Sequence, residues 1–265
     1  MLPNFLGIGA QRAATTWIYN CLKEHPDVFV PEIKEVQYFS NNYSKRLSYY
    51  ENFFKKYNNE SAIGEISPEY LHYCDCPTRI KKTLGDVRFI VVLRDPVERA
   101  FSAYLFFDQY KNLSFMEAIN NYPALLSAGL YASQLKSYFS IFNENDFLIL
   151  LYEDLQSNNK DYVKKIYEFL NVDPVFTTSM VDRSVNTKIF PKTQKYIESL
   201  GARPLLDKIK LSSAGDMIRK YHKNKLSKNK DKLNNTEIEL LFQYYSKSNQ
   251  ELKKMLDLDF SKWHF

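Results

Sequence analysis

The pattern of apolar and polar residues along the chain predicts a sheet of buried parallel strands. Short apolar runs occur at Phe5–Gly9, Ala62–Glu65, Val87–Leu93 and Phe147–Tyr152. The third run is rich in β-branched residues and nearly continuous, which is typical of a central strand covered on both faces. We therefore expect these four runs to be strands, with the third near the middle of the sheet.

Helical patterns lie between these runs. The first predicted helix begins at Thr15 and ends near Glu24, because Pro26 follows. Further helices are predicted from about Val97 to Tyr110, after the capping box Ser114–Glu117, from Lys160 to Leu170, and from Thr236 to about Met255. Alternating strands and helices indicate an α/β fold of three layers, a central parallel sheet with helices on both faces.

Composition and charge narrow the classes of function. The chain of 265 residues suits a single domain, 1–265, with one large core. Hydrophobic residues make up 45% and charged residues 25%, which excludes disordered, collagen-like and disulfide-scaffold chains. The net charge of +5 suits an anionic ligand but is too small to indicate nucleic acid. No nucleic-acid partner is therefore predicted, and nothing indicates an oligomeric state.

Cysteine usage and the lack of targeting signals favour a cytoplasmic location. The three cysteines include Cys74 and Cys76, whose spacing suits neither a mutual disulfide nor a complete zinc site. No apolar run approaches the ~18–20 residues of a membrane span, and no basic leader opens the chain. We expect a cytoplasmic protein if the chain is complete; an anchor lost by trimming would leave no trace. The lysine-rich segment from His222 to Asn235 is interpreted as a solvated loop rather than a polyanion-binding patch.

The loop between the first strand and the first helix predicts an anion site, because free backbone N–H groups and the helix dipole converge there. Gly9–Thr16 has the length of a phosphate loop, but Ala14 and Thr15 stand where the nucleotide-kinase pattern has glycine and lysine. Arg12 supplies a cation in the middle of the loop instead. On this loop alone, a simple turn without a ligand stays an alternative.

The end of the strongest strand carries Arg94 where an ATP-hydrolysing enzyme would offer a carboxylate to magnesium. Ligands of open α/β sheets bind beyond the carboxyl ends of the strands, so Arg94 is expected to face the same crevice as the first loop. Ser102 follows about two helical turns later. An arginine and a hydroxyl near a second anion predict a ligand with two separated phosphate groups and no required metal.

Together these segments resemble the sulfotransferases that use 3′-phosphoadenosine 5′-phosphosulfate (PAPS). Gln11–Trp17 is similar to their 5′-phosphosulfate loop, and Arg94–Tyr104 to their 3′-phosphate motif. Lys34–Phe39 and Gly64–Tyr70 resemble elements of the heparan sulfate branch and its bacterial relatives. Later segments, Gly129–Tyr131, Leu150–Leu155 and Leu256–Trp263, also fit the family in order, so the resemblance covers nearly the whole chain.

The resemblance implies a phosphate-loop nucleotide-hydrolase-like sulfotransferase fold and transfer of a sulfuryl group from PAPS, leaving adenosine 3′,5′-bisphosphate (PAP). The acceptor would be a hydroxyl or amine of a saccharide or another small molecule. Glu65 would be the general base, and Lys34 and Arg12 would stabilise charge at the transferred group. The implied donor-binding residues are Gln11, Arg12, Ala13, Ala14, Thr15, Thr16, Trp17, Arg94, Ser102 and Tyr131.

Several alternatives stay open at this point. His72 is the rival base, and Lys34 and Glu65 are also interpretable as surface residues. The whole chain is alternatively a phosphate-loop kinase or a non-catalytic polyanion-binding module. The loops Ser40–Glu60 and Phe106–Ala128 are expected to choose the acceptor.

Three residues depart from the family pattern. Arg12 and Ala14 replace the usual lysine and glycine, and Ile66 stands where a lysine is common. Arginine and lysine are not interchangeable where a compact charge follows a moving group. These departures are expected to affect the catalytic rate more than the fold.

Overall fold

The computed structural model describes residues 1–181 and 232–263. The chain divides into two compact units, Met1–Arg183 with Asn235–Phe265, and Ser184–Asn234. The second unit lies almost wholly outside the described residues, as does most of the lysine-rich segment from 222 to 235. One domain spanning residues 1–265 stays a prediction.

The first unit is built on a parallel sheet, as predicted. Within the described residues its strand order is β2-β3-β1-β4-β5, and every neighbouring pair is parallel. The first predicted strand is confirmed with its bounds unchanged, and the other three are each confirmed with one end shifted by one residue. The short edge strand β2 was not predicted, because two residues leave no readable pattern. The strands are β1 Phe5–Gly9, β2 Val28–Phe29, β3 Ala62–Ile66, β4 Arg88–Leu93 and β5 Phe147–Leu151.

Helices fill the connections between the strands. The capping box at Ser114 is confirmed, since its hydroxyl accepts the N–H of Glu117 and the Glu117 side chain returns to the backbone N–H of Ser114. The helix expected to reach Tyr110 ends at Phe106, because Phe107 takes an extended conformation. The helices are α1 Thr15–Glu24, α2 Leu47–Glu51, α3 Cys76–Leu84, α4 Pro96–Phe106, α5 Phe115–Asn121, α6 Ala124–Ser127, α7 Tyr131–Phe139, α8 Tyr152–Ser157, α9 Asn159–Leu170 and α10 Asn235–Met255, with short 3-10 turns at Asn52–Phe54, Asp108–Tyr110 and Glu144–Asp146.

The strand order places the functional crevice. From β1 the chain moves toward one edge of the sheet through α1, and after β3 it crosses back to β4 through α3. Right-handed crossovers in opposite directions put these helices on opposite faces, which gives the three predicted layers. The direction reverses between β1 and β4, and the crevice at such a point binds ligands in open α/β sheets.

The segment that follows β3 lies against the end of β1. The backbone N–H groups of Ser67 and Leu71 donate to the carbonyls of Gly7 and Ile8 at 2.9 and 2.8 Å. A Cβ at Gly9 would lie 2.6 Å from the Cβ of Leu71, so this close approach requires glycine. The end of β3 is thereby fixed beside the loop after β1.

Candidate active site

The loop after β1 leads into a helix that no side chain caps. Ala14 precedes α1 with φ 62°, and Arg12 in mid-loop has φ 71°, both in the left-handed region. The first N–H groups of a helix have no intrahelical partner, so an uncapped start offers donors to a ligand. Together with the helix dipole, this arrangement suits an anion.

Arg12 joins this loop to helix α4. Its Nε donates to the Oγ of Ser102 at 3.2 Å, and its guanidinium carbon lies 3.8 Å from the ring centroid of Phe106. Arg94 in turn donates from Nη1 to the backbone carbonyl of Arg12 at 3.2 Å. The two segments that resemble the 5′- and 3′-phosphate motifs therefore meet in one crevice.

Arg94 is held in place from several sides. Its Nη2 donates to the carboxylate of Glu98 at 3.2 Å, and its guanidinium carbon lies 4.7 Å from the ring centroid of Tyr152. The hydroxyl of Tyr131 donates to the Arg94 carbonyl at 3.0 Å. Tyr131 is buried, so it supports the end of β4 through the backbone. The Arg94 side chain is 16% exposed, which leaves one side of it open to the crevice.

Burial and neighbouring positive charges lower the pKa values of Arg12 and Lys34. Burial, with Arg94 as the next cause, lowers the pKa of Arg12 to about 10. Burial also lowers the pKa of Lys34, which the charge of Arg12 lowers further and that of Glu35 raises. A cluster of desolvated cations is stabilised when an anion binds, so the electrostatics agree with the predicted ligand class.

Lys34 reaches the crevice on a segment that is fastened to the end of β3. Its Nζ lies 2.5 Å from a carboxylate oxygen of Glu35, and its side chain is 11% exposed. The N–H of Glu35 donates to the Ile66 carbonyl at 3.1 Å, and that of Gln37 to the Ser67 hydroxyl at 3.0 Å. Lys34 is therefore a buried lysine rather than a surface one, and its charge interacts with those of Arg12 and Glu65.

Glu65 lies at the end of β3 inside a closed hydroxyl cluster. Tyr50 and Tyr70 donate to its Oε1 at 3.0 and 2.7 Å, and Ser67 donates to its Oε2 at 2.6 Å. Glu65 and these three partners are each at most 1% exposed. Burial raises the pKa of Glu65, although the hydroxyl donors oppose that shift. Because the carboxylate and its three donors are all buried, an acceptor reaches Glu65 only when one of these residues moves.

His72, the rival base, lies in a different environment. Burial, with the charge of Arg99 as the second cause, lowers the pKa of His72 to about 4. It is therefore neutral at physiological pH but a weak base. No hydrogen bond to its ring occurs within residues 1–181 and 232–263.

The remaining predicted donor residues lie in and just after the first loop. Ala13 and Ala14 are buried and can contribute only backbone groups. Thr15 is buried at the start of α1 and Thr16 is exposed beside it. Trp17 is buried, and its indole Nε1 donates to the Met180 carbonyl at 3.0 Å, so that donor is used within the protein. Gln11 is half-buried in the loop, and its backbone lies two residues after Gly9.

Sequence reasoning missed the residues that orient the predicted ones. Phe106 and Tyr152 stack on the two arginines, and Tyr50 holds Glu65 from within a loop that was assigned only to acceptor choice. Phe106 had a readable signal, because it lies four residues after Ser102 and so shares its helix face. The other two contacts join distant segments and leave no local pattern.

The part of the chain that the structure describes contains no group of three or more His, Cys, Asp and Glu residues placed to hold a metal ion. It also contains no helix that is both long and apolar enough to cross a membrane. Metal independence and the cytoplasmic location both stay predictions.

Known proteins resemble this chain over most of its length. The profile of a family described as the sulfotransferase domain matches residues 2–257. A solved sulfotransferase from Alicyclobacillus acidocaldarius superposes with a TM-score of 0.64 and 25% identity, covering 80% of this chain and 95% of that one. The fold prediction is confirmed by this likeness.

Curated relatives are similar over shorter stretches. The membrane-associated sulfotransferase kil1 of Dictyostelium discoideum is 36% identical over 41% of this chain. The bifunctional heparan sulfate N-deacetylase/N-sulfotransferase 4 of Mus musculus is 30% identical over 67% of it, and the heparan sulfate glucosamine 3-O-sulfotransferase 3B1 of the same species is 27% identical over 66%. The matched regions span only 24%, 23% and 48% of those three proteins.

Proposed function

Because the chain belongs to the sulfotransferase domain family, we propose that it transfers a sulfuryl group from PAPS to a hydroxyl or amine of an acceptor, with saccharides as the acceptor class. The resemblance of its motifs to the heparan sulfate branch supports this choice. The alternatives of a phosphate-loop kinase and a polyanion-binding module have no comparable support.

One observation carries the proposal: the crevice joins two sets of anion-binding groups through Arg12. The uncapped start of α1 and Arg12 form one set, and Arg94 with Ser102 forms the other. Each set fits one phosphate-type group, since backbone donors and arginine forks are the groups that bind such anions. The chemistry of the residues present therefore fits PAPS and its product PAP.

The residues of the crevice would supply positioning and charge. PAPS, when bound, supplies an activated sulfuryl group on a phosphate leaving group. Arg94 and Ser102 would fix the nucleotide through its 3′-phosphate, and the loop after β1 would hold the 5′ end. Arg12 and Lys34 would offset the negative charge that develops at the transferred oxygens and at the leaving phosphate.

Lys34 is held in readiness by an internal ion pair. In the described structure its ammonium group is paired with Glu35, which also carries a left-handed backbone with φ 66°. We propose that the incoming anion takes the ammonium from Glu35, so that Lys34 contributes to charge stabilisation only when the donor is in place.

Glu65 is proposed as the general base. Its raised pKa makes the carboxylate a stronger proton acceptor than an exposed glutamate. We propose that acceptor binding displaces one of the three hydroxyl donors and so opens a path to the buried carboxylate. Tyr50 is the donor most readily displaced by the acceptor, because it belongs to the segment Ser40–Glu60, which is expected to bind and select the acceptor.

The proposal is tested by incubating the protein with ³⁵S-labelled PAPS and a set of acceptors. The set should include N-deacetylated and N-acetylated glucosamine oligosaccharides, with mass spectrometry to locate the sulfate on oxygen or nitrogen. We expect labelled saccharide and an equal amount of PAP, both reduced about ten- to hundredfold by Arg94→Ala at a PAPS concentration below saturation. Absence of PAP formation with every acceptor would contradict sulfuryl transfer. PAP formation with only non-saccharide acceptors would contradict the acceptor class alone.

A further inference from the structure

The guanidinium of Arg12 is held by two residues of one helix. Ser102 and Phe106 lie four positions apart on α4, so their side chains are neighbours on the same face. Ser102 accepts from the Nε of Arg12, and the Phe106 ring lies 3.8 Å from the guanidinium carbon. The hydrogen bond to Ser102 fixes the Nε side of the guanidinium fork, and the Phe106 ring covers its flat face.

Among the described residues, the two outer nitrogens of this fork donate to no protein acceptor. Within residues 1–181 and 232–263, Nε carries the one side-chain hydrogen bond of Arg12. Nη1 and Nη2 therefore keep their donor groups for a ligand. Among the described residues, the contacts with Ser102 and Phe106 orient the Arg12 guanidinium, and no ion pair does so.

A planar cation requires such orienting contacts, whereas an ammonium group does not. The guanidinium presents its donors in one plane, so a rotation about its stem misdirects them. A lysine ammonium is a compact point charge with three rotatable donors and has no plane to orient. The flat ring of Phe106 stabilises the Arg12 guanidinium above it through a cation–π contact.

We propose that Phe106 is a positioning residue for the sulfuryl transfer, and that the pair Arg12–Phe106 together performs the role that a lysine performs alone in the resembling loop. The inference rests on the proposed function. Phe106 acts on the reaction only through Arg12, so the effect of replacing it must depend on which residue occupies position 12.

Turnover and donor binding separate this role from simple packing. Phe106→Leu should lower kcat by about five- to thirtyfold, the fold-change expected from losing a partly desolvated cation–π contact. The affinity for PAP should change less than kcat does, because PAP keeps the 5′-phosphate but not the transferred group, where negative charge develops only during the reaction. Phe106→Tyr, which keeps the aromatic ring, should leave kcat within about twofold of the wild-type value.

The decisive comparison repeats the substitution in an Arg12→Lys protein. There Phe106→Leu should change kcat by less than about twofold, because no plane is left to orient. An equal loss in both backgrounds would overturn the inference and leave Phe106 a packing residue. If the leucine variant melts early, Phe106→Met, which fills similar space without an aromatic face, replaces it in the same cycle.

A readout without catalysis distinguishes failure of this inference from failure of the proposed function. The Nε–H resonance of Arg12 in ¹⁵N-edited NMR should carry a ring-current shift that Phe106→Met removes and Phe106→Tyr keeps. A missing shift would overturn the inference. A clear shift in a protein that forms no PAP from PAPS would overturn the proposed function while leaving the Arg12–Phe106 contact in place.

Discussion

Replacing Arg94 by alanine tests the division of donor binding between two loops. Three protein contacts hold this guanidinium: the Arg12 carbonyl, the Glu98 carboxylate and the face of Tyr152. The side chain is only 16% exposed, so its bond to a 3′-phosphate would be charge-assisted and partly shielded from water. Such a bond contributes about 1.5–3 kcal/mol. Arg94→Ala should therefore weaken PAP binding about ten- to hundredfold.

The assay is isothermal titration calorimetry of PAP against the folded variant. Glu98→Gln is the matched control, because it removes the ion-pair partner of Arg94 but not the cation. The Glu98 side chain is 50% exposed, so its pair with Arg94 is worth little, and this control should leave PAP affinity unchanged or raise it by up to about fivefold. Unchanged affinity in a folded Arg94→Ala protein would refute the assignment of the 3′-phosphate site.

Four further outcomes are expected. Glu65→Gln should lower turnover by about 10²–10⁴ with little effect on PAP affinity, whereas His72→Asn should be mild; near-native turnover of Glu65→Gln would make His72 the leading base. Ala14→Gly should raise the free energy of unfolding by up to about 1 kcal/mol in urea titrations. The left-handed backbone costs alanine ~1–2 kcal/mol, and the greater chain entropy of glycine in the unfolded state offsets ~0.5–1 kcal/mol of the relief. A lower urea midpoint for the glycine variant would contradict this. The pKa of His72 falls from 6.5 to about 4 on folding, so the unfolded chain binds the proton first and the free energy of unfolding should drop as the pH falls from 6.5 to about 4. His72→Asn should remove at most about 3 kcal/mol of this pH-dependent drop. An identical pH profile in the wild type and the variant would argue against the lowered pKa. Activity should survive excess EDTA, and complete loss restored by magnesium would favour a kinase-like reaction.

The sheet was predictable because its signals are local. Each long strand is an apolar run, and the loop after β1 and the cation after β4 follow directly from chain order. The meeting of Arg12, Arg94 and Ser102 then follows from parallel topology, since the carboxyl ends of neighbouring strands share one edge. The structure agrees with that expectation at distances of 3.2 Å.

The surroundings of the predicted groups were not predictable from local pattern. Nothing near Glu65 in the sequence indicates that Tyr50, fifteen residues earlier, donates to its carboxylate. The left-handed backbone of Ala14 was also hidden, because alanine disfavours that conformation and the surrounding fold imposes it. The order of strands and loops along the chain is enough to predict which site residues lie close together, whereas long-range contacts determine how their side chains are oriented.

We propose that the loop after β1, together with Arg94 and Ser102, forms one site for PAPS and PAP. Calorimetry in excess EDTA, with PAP, 5′-AMP and ATP as separate titrants, tests it most directly. We expect tight binding of PAP and no comparable binding of ATP. Binding of 5′-AMP should be at least about tenfold weaker than that of PAP, because the contact to the 3′-phosphate is missing. Equal affinity for PAP and 5′-AMP, or binding of ATP that requires magnesium and exceeds that of PAP, would contradict it.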